Sequence, residues 1–177
     1  MKKKIEEVVE LGEGVEASYS EGMLKLRKGD VELERKLFSP EIKIEVSDGK
    51  IRIFCERGNK NQLKKIKTFR GHVENMLKGL DKEFEYVLEI CSVHFPMNVS
   101  VEGQELVIKN FLGEKIPRRA RILPGVKVEV KGNNVVVSSH SIEAAGQTAA
   151  NIELATRVRK RDRRIFQDGI YITAKPE

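Results

Sequence analysis

The chain has 177 residues, 40% of them hydrophobic and 34% charged, with 33 basic and 27 acidic side chains and a net charge of +6. That is enough apolar matter for one large core or two small ones, and the basic excess favours polyanionic partners, nucleic acid first. No stretch approaches the roughly 18 uncharged apolar residues of a membrane span, the opening MKKKIEEVVE places acids where a signal peptide needs an apolar block, and Cys55 and Cys91 are too few for a disulfide framework.

Val8-Val9-Glu10-Leu11 reads as a first strand, and Gly22 turns the chain into a second apolar run, Met23–Leu26. From Ile42, IKIEVSDGKIRI alternates apolar and polar residues on either side of Asp48-Gly49, the pattern of a hairpin with one buried face. Leu63, Ile66, Val73, Met76, Leu77 and Leu80 then recur at helical spacing, with Phe69 between them. Lys64, Lys65, Lys67, Arg70 and Lys78 fall largely on the opposite side; Asn59 or Asn61 can cap the start, and Gly79 lies near the end.

The pattern then returns. Val87-Leu88-Glu89-Ile90 matches the first strand, Glu102–Ile108 matches Glu21–Leu26 with Gly103 against Gly22, and VKVEVKGNNVVV from Val126 matches the hairpin with its turn at Gly132-Asn133-Asn134. A second helix follows, capped by Ser141 and built from Ala144, Ala145, Ala149, Ala150, Ile152 and Ala155; its small residues let it lie close to a sheet. Each copy reads as strand, strand, turn, strand, longer loop, hairpin, helix. The expected fold is α+β: two tandem similar domains from an internal duplication, residues 1–83 and 84–177, each a mostly antiparallel sheet with one helix packed on one face.

Catalytic constellations are absent from the sequence. His72, His94, His140, Cys55 and Cys91 are scattered without metal-ligand spacing, so no metal is expected. No phosphate-cradling glycine motif occurs, and Gly12-Glu13-Gly14 places an acid where a phosphate would sit. Ser138, Ser139, His140 and Ser141 lack a nucleophile elbow, and neighbours along a strand point to opposite faces, so they read as a hairpin exit and a helix cap. There is no G-x-x-G clamp, nor an aromatic-rich strand for stacking bases.

The charge is concentrated in the second copy. Residues 115–164 hold twelve bases against four acids, whereas 84–109 hold one base and four acids. Two clusters stand out: Lys115, Arg118, Arg119 and Arg121 around Pro117, and the denser Arg157, Arg159, Lys160, Arg161, Arg163, Arg164. Arginine predominates in both, and its planar fork matches phosphate and stacks on bases. A solvated face is the ordinary explanation of a charge run, but acids are nearly missing here. Contact with the phosphates and 2′-hydroxyls of folded RNA fits better. After Arg164 the chain turns apolar at Ile165, Phe166, Ile170 and Ile172, with Asp168-Gly169 read as a turn. The arginines are therefore expected at fixed positions between two packed elements.

The duplicated architecture together with RKRDRRIFQDGIYI (Arg159–Ile172) resembles the large-subunit ribosomal protein six family in its archaeal and eukaryotic branch, and RILPGVKVEV (Arg121–Val130) is similar to that family's lead into the second hairpin. The resemblance implies two related α+β domains and no catalytic activity, cofactor, membrane partner or small-molecule substrate. It implies a cytoplasmic, ribosome-bound protein that binds large-subunit rRNA mainly through its C-terminal domain. The site would lie near the sarcin–ricin loop, where translational GTPases dock, beside neighbouring large-subunit proteins. The family's motif falls on Arg157, Arg159, Lys160, Arg161, Arg163 and Arg164, then on Gln167, Asp168, Gly169 and Tyr171. Arg118, Arg119 and Arg121 are added from charge alone. An RNA-processing enzyme and a protein–protein adaptor are the weaker readings.

Overall fold

A computed structural model of the chain describes residues 3–47 and 49–176. The chain divides into two compact units, one running to Lys82 and the other starting at Glu83.

The first unit holds β1 (Lys3–Glu10), β2 (Glu16–Ser20), β3 (Met23–Lys28), β4 (Val31–Lys36), β5 (Lys43–Ser47), β6 (Lys50–Gly58) and α1 (Lys60–Asp81). All pairings are antiparallel, in two sheets of order β1-β6-β5 and β2-β3-β4. Strict alternation along β6 buries Ile51, Ile53 and Cys55, and β3 buries Leu24 and Leu26. Asn59 caps α1: its side chain accepts from the Asn61 amide, and the Gln62 side chain accepts from the Asn59 amide in return. The helix then presents Ile66, Val73, Met76 and Leu80 to this core and leaves Lys64, Lys65 and Lys67 in water. Gly49 takes a left-handed φ of 72°, as a tight turn requires; Asp48 lies outside the described residues.

The second unit holds β7 (Phe84–Cys91), β8 (Asn98–Glu102), β9 (Glu105–Lys109), β10 (Arg118–Arg121), β11 (Lys127–Lys131), β12 (Asn134–Ser139), α2 (Ile142–Ala155) and β13 (Gly169–Ala174). Its sheets are ordered β11-β12-β7-β13 and β10-β9-β8. Matched strand for strand, this repeats the first unit, with one addition: β13 pairs with the remaining edge of β7. The duplication read from the sequence is thus a repeated topology, and its α+β class holds. Two details differ from the expectation. Each unit divides its strands between two sheets, and each has a fourth strand, β4 or β10, in place of the long loop.

The core of the second unit is built around α2. Ala145, Thr148, Ala149 and Ile152 face inward, against Leu88, Val135 and Val137 of the sheet. Three of those four helix side chains are small, which brings the helix backbone close to the strands. Thr148 Oγ1 accepts the Leu123 amide at 3.2 Å, and Asn151 Nδ2 donates to the Arg121 carbonyl at 3.2 Å, so α2 also holds the chain leaving β10. Among the described residues no helix is long and apolar enough to cross a membrane.

The close approach of α2 has a measurable consequence. Ala149→Leu should lower the stability of the second unit by about 1–3 kcal/mol through overpacking. Leu154→Ala, on the exposed side of the same helix, should stay within about 0.5 kcal/mol of the native chain. Denaturant midpoints of the two variants compare them directly.

Candidate nucleic-acid interface

Residues 157–168 join the end of α2 to the start of β13, and the join is closed by a buried hydroxyl. Thr156 Oγ1 accepts the Ile170 amide at 2.9 Å and lies 3.2 Å from the Glu153 carbonyl, to which it donates. It therefore fixes the last turn of the helix and the first pair of the strand together. Val158 is 8% exposed and packs into the core, which pins the loop three residues after the helix ends.

Further along, Asp162 shapes a tight turn. Its carbonyl accepts from the Ile165 and Phe166 amides at 3.1 and 2.9 Å, and its Oδ1 accepts from the Arg164 amide at 2.9 Å. Lys160 adopts a left-handed φ of 57°, an uncommon state for a residue with a Cβ, which shows how closely the path is specified. The turn thus sits at Arg163–Ile165. Asp168-Gly169, expected to form it, is instead the entrance to β13.

Asp168 is fully buried, and its carboxylate anchors the far side of the loop. Oδ2 accepts the Val93 and His94 amides at 3.0 Å each, and His94 Nδ1 lies 2.5 Å from Oδ1. An ionised carboxylate can only accept, so Nδ1 carries the proton in this contact. Burial alone would push the Asp168 carboxyl upward. The bonds from the His94 ring and from the two amides outweigh it and hold the group below the ordinary aspartate range. The His94 ring in turn stacks on Phe166, with centroids 4.8 Å apart, and the Arg161 guanidinium sits 4.7 Å from the Phe166 centroid. Both groups contact the Phe166 ring. Arg161 is therefore positioned by a chain of contacts that begins at a buried carboxylate.

The remaining cations fall into distinct groups. Arg157, Arg159, Lys160 and Arg163 are exposed and form no ion pair among the described residues. Arg164 is also exposed, but its Nη2 lies 2.8 Å from Asp162 Oδ2, and that guanidinium, followed by the Arg164 amide, lowers the Asp162 carboxyl. Gln167 and Tyr171 act within the loop: Gln167 Nε2 donates to the Arg164 carbonyl, and the Tyr171 hydroxyl lies 3.1 and 3.3 Å from the Gln167 and Asp168 carbonyls. Ile165, expected to anchor the loop, is 63% exposed; the anchoring falls to Val158, Phe166 and Ile170.

The period of a strand splits the other cluster. Arg118 and Ala120 point one way along β10, Arg119 and Arg121 the other. Arg118 lies over the Phe111 ring at 4.1 Å, forks onto Glu114 at 2.6 and 2.8 Å, and donates from Nη1 to the Ala155 and Arg157 carbonyls. It is an internal strut that satisfies carbonyls at the end of α2, rather than an outward cation. Arg119 pairs with Glu105 at 2.8 Å, and Arg121 is exposed without an ion pair among the described residues.

His94 and Thr156 carry the loop's architecture, and sequence reasoning did not single them out for it. One signal was present: Asp168 is one of two acids in a basic motif and is followed by apolar residues, and an acid so placed needs a partner. Among the described residues no group of three or more His, Cys, Asp or Glu side chains could hold a metal ion.

Comparison with known proteins now fits the duplicated fold. The sequence pattern of the family described as ribosomal protein L6 matches twice, over residues 11–83 and 95–169. The chain belongs to the ribosomal protein L6 family. Among its relatives, the large ribosomal subunit protein uL6 of Methanosarcina mazei is 46% identical over 175 residues, 99% of either chain. The protein of the same name from Methanococcus vannielii is 44% identical over 171 residues, covering 97% of this chain and 94% of its own. The archaeal likeness agrees with the branch read from the terminal motif. The second match ends at Gly169, so the L6 pattern spans the whole basic loop and stops where β13 begins. The family is one of ribosomal proteins rather than enzymes.

The Asp168 contacts give an acid signature. A carboxyl held below its ordinary value favours the folded state while it is ionised. That contribution is complete above the ordinary aspartate range and is lost as pH falls through the lowered value. Asp168→Ala should cost about 3 kcal/mol at neutral pH and should flatten the loss of stability below about pH 4. Denaturant titrations from pH 7 to pH 3 on both chains measure the two effects together.

Proposed function

We propose that the chain is a structural constituent of the large ribosomal subunit and that it binds large-subunit rRNA mainly through its second unit. The observation that carries this reading is the loop at 157–168. Its exposed cations stand on a path fixed by Thr156, Asp162 and Asp168. A cation already held in place loses little conformational freedom when it meets a phosphate. Arg157, Arg159, Lys160, Arg161 and Arg163 are the phosphate contacts. Arg164 joins them with its charge partly offset by Asp162, and Arg119 and Arg121 extend the field along β10. Gln167 and Tyr171 contribute by holding the loop's shape. The resemblance supports a location near the sarcin–ricin loop and the docking region of translational GTPases, beside other large-subunit proteins.

An RNA-processing enzyme is disfavoured by the geometry of the two acids in the motif. Asp162 is committed to the Arg164 amide and guanidinium, and Asp168 to Val93 and His94. Neither is left to bind a catalytic metal with a second carboxylate. A protein adaptor would not need this density of unpaired guanidinium groups.

The test is the salt dependence of binding to protein-free large-subunit rRNA. Arg159→Ala combined with Arg163→Ala should weaken binding and reduce the slope of log K against log salt by about two phosphate contacts. Arg118→Ala should lower thermal stability first and change the slope by less than one contact. Equal slopes for the native chain and the Arg159/Arg163 variant would remove these residues from the interface.

A further inference from the structure

Beside the loop lies an open depression of about 590 Å³ that the contacts described above leave unused. Cys91, Val93, Phe166 and Tyr171 form its apolar walls, and Arg163 and Arg164 stand among the lining residues with the Gln167 amide. The volume falls within the range of small-ligand sites. Its chemistry is divided: a thiol, a valine and two aromatic rings on one hand, two guanidinium groups and an amide on the other. A flat heterocycle joined to a phosphate has the same division.

The walls are rigid. Phe166 lines the depression and is contacted by the His94 ring at 4.8 Å and the Arg161 guanidinium at 4.7 Å. The Tyr171 ring is fixed by its hydroxyl on the Gln167 and Asp168 carbonyls, and Gly169 lies so close to it that a Cβ there would fall 2.8 Å from the ring. Arg163 has no ion pair among the described residues and also borders a second depression with Arg157 and Tyr171. A charged groove interrupted by fixed aromatic side chains is how proteins hold unstacked bases.

We infer that this depression receives one unpaired nucleobase of the bound RNA, with the adjoining phosphates on Arg163 and Arg164. The inference rests on the rRNA-binding reading above and adds to it: the loop reads a strand irregularity as well as charge. A base that is already unpaired needs no energy to leave a helix, so the site selects a bulge or a loop nucleotide over a regular duplex. Gln167 offers an amide, which both donates and accepts, to the edge of that base.

Cys91 supplies the probe, because it lines the depression while Cys55 is buried. The native chain is alkylated with N-ethylmaleimide at pH 8, free and bound to protein-free large-subunit rRNA. Bound rRNA should slow Cys91 alkylation about tenfold, the scale of one stacked base. Irradiation at 254 nm of the same complex should leave a nucleotide adduct on Cys91, Phe166 or Tyr171. Val93→Trp places a ring across the depression from a position that is 74% exposed; it should abolish the adduct and weaken rRNA binding about tenfold. If rRNA binds while Cys91 reacts at its free rate, the inference fails and the rRNA-binding reading stands. Shielding of Cys91 without an adduct at these residues would mean backbone contact alone and would overturn it as well. Shielding found only in the intact subunit would assign the depression to a neighbouring protein. No binding to rRNA at all would overturn both readings.

Discussion

The second unit turns on one buried negative charge. Asp168 is an acid among arginines, yet it pairs with none of them. It faces inward and collects two amides and an imidazole. Burying a carboxylate is costly unless its lone pairs are met, and here three donors meet them. The consequence runs outward. His94, held by the carboxylate, supports Phe166; Phe166 supports Arg161; and the two amides bring the chain after β7 against the base of the loop. Thr156, Val158 and Asp162 hold the near side and the turn of the basic run, and this charge holds its far side. Together they keep the cations at set positions.

Duplication explains what the charge acts upon. The first unit shows what the repeated topology looks like without β13: two antiparallel sheets and an amphipathic helix that ends at Asp81. The second unit continues past its helix and returns a strand to the edge of β7. The loop between helix and returning strand is the added element, and Arg157, Arg159, Lys160, Arg161 and Arg163, which form no ion pair among the described residues, sit on it. Two polar devices make the return specific. Thr156 joins helix end to strand start, and Arg118 takes up the carbonyls of Ala155 and Arg157. A residue that looked from sequence like a ligand for phosphate is thus part of the frame that presents others.

Much of this was legible from the residues. The hairpins at Ile42 and Val126 alternate cleanly because each buries one face, and α1 shows its stripe because its apolar residues are large. The strands β4 and β10 were hidden for a physical reason: VELERK and RRAR carry charge at most positions, and strand propensity is overridden by the neighbouring β3 and β9 that they pair with. The split of Arg118 from Arg119 and Arg121 follows from that missed strand, since only a strand imposes a period of two. The role of His94 was out of reach because its partner lies more than seventy residues away in sequence, and no local pattern encodes such a contact. The exposure of Ile165 was missed because a turn around Asp162, rather than around Asp168-Gly169, sets which side chains point inward.

The central claim is that the basic loop is shaped before it meets RNA. Amide hydrogen exchange of the RNA-free chain, followed residue by residue, tests it most directly. The account predicts slowed exchange at Val93, His94, Ile165, Phe166 and Ile170, the amides held by Asp168, Asp162 and Thr156. Exchange at the rate of an unstructured peptide at these five positions, with protection arising only on addition of rRNA, would contradict it.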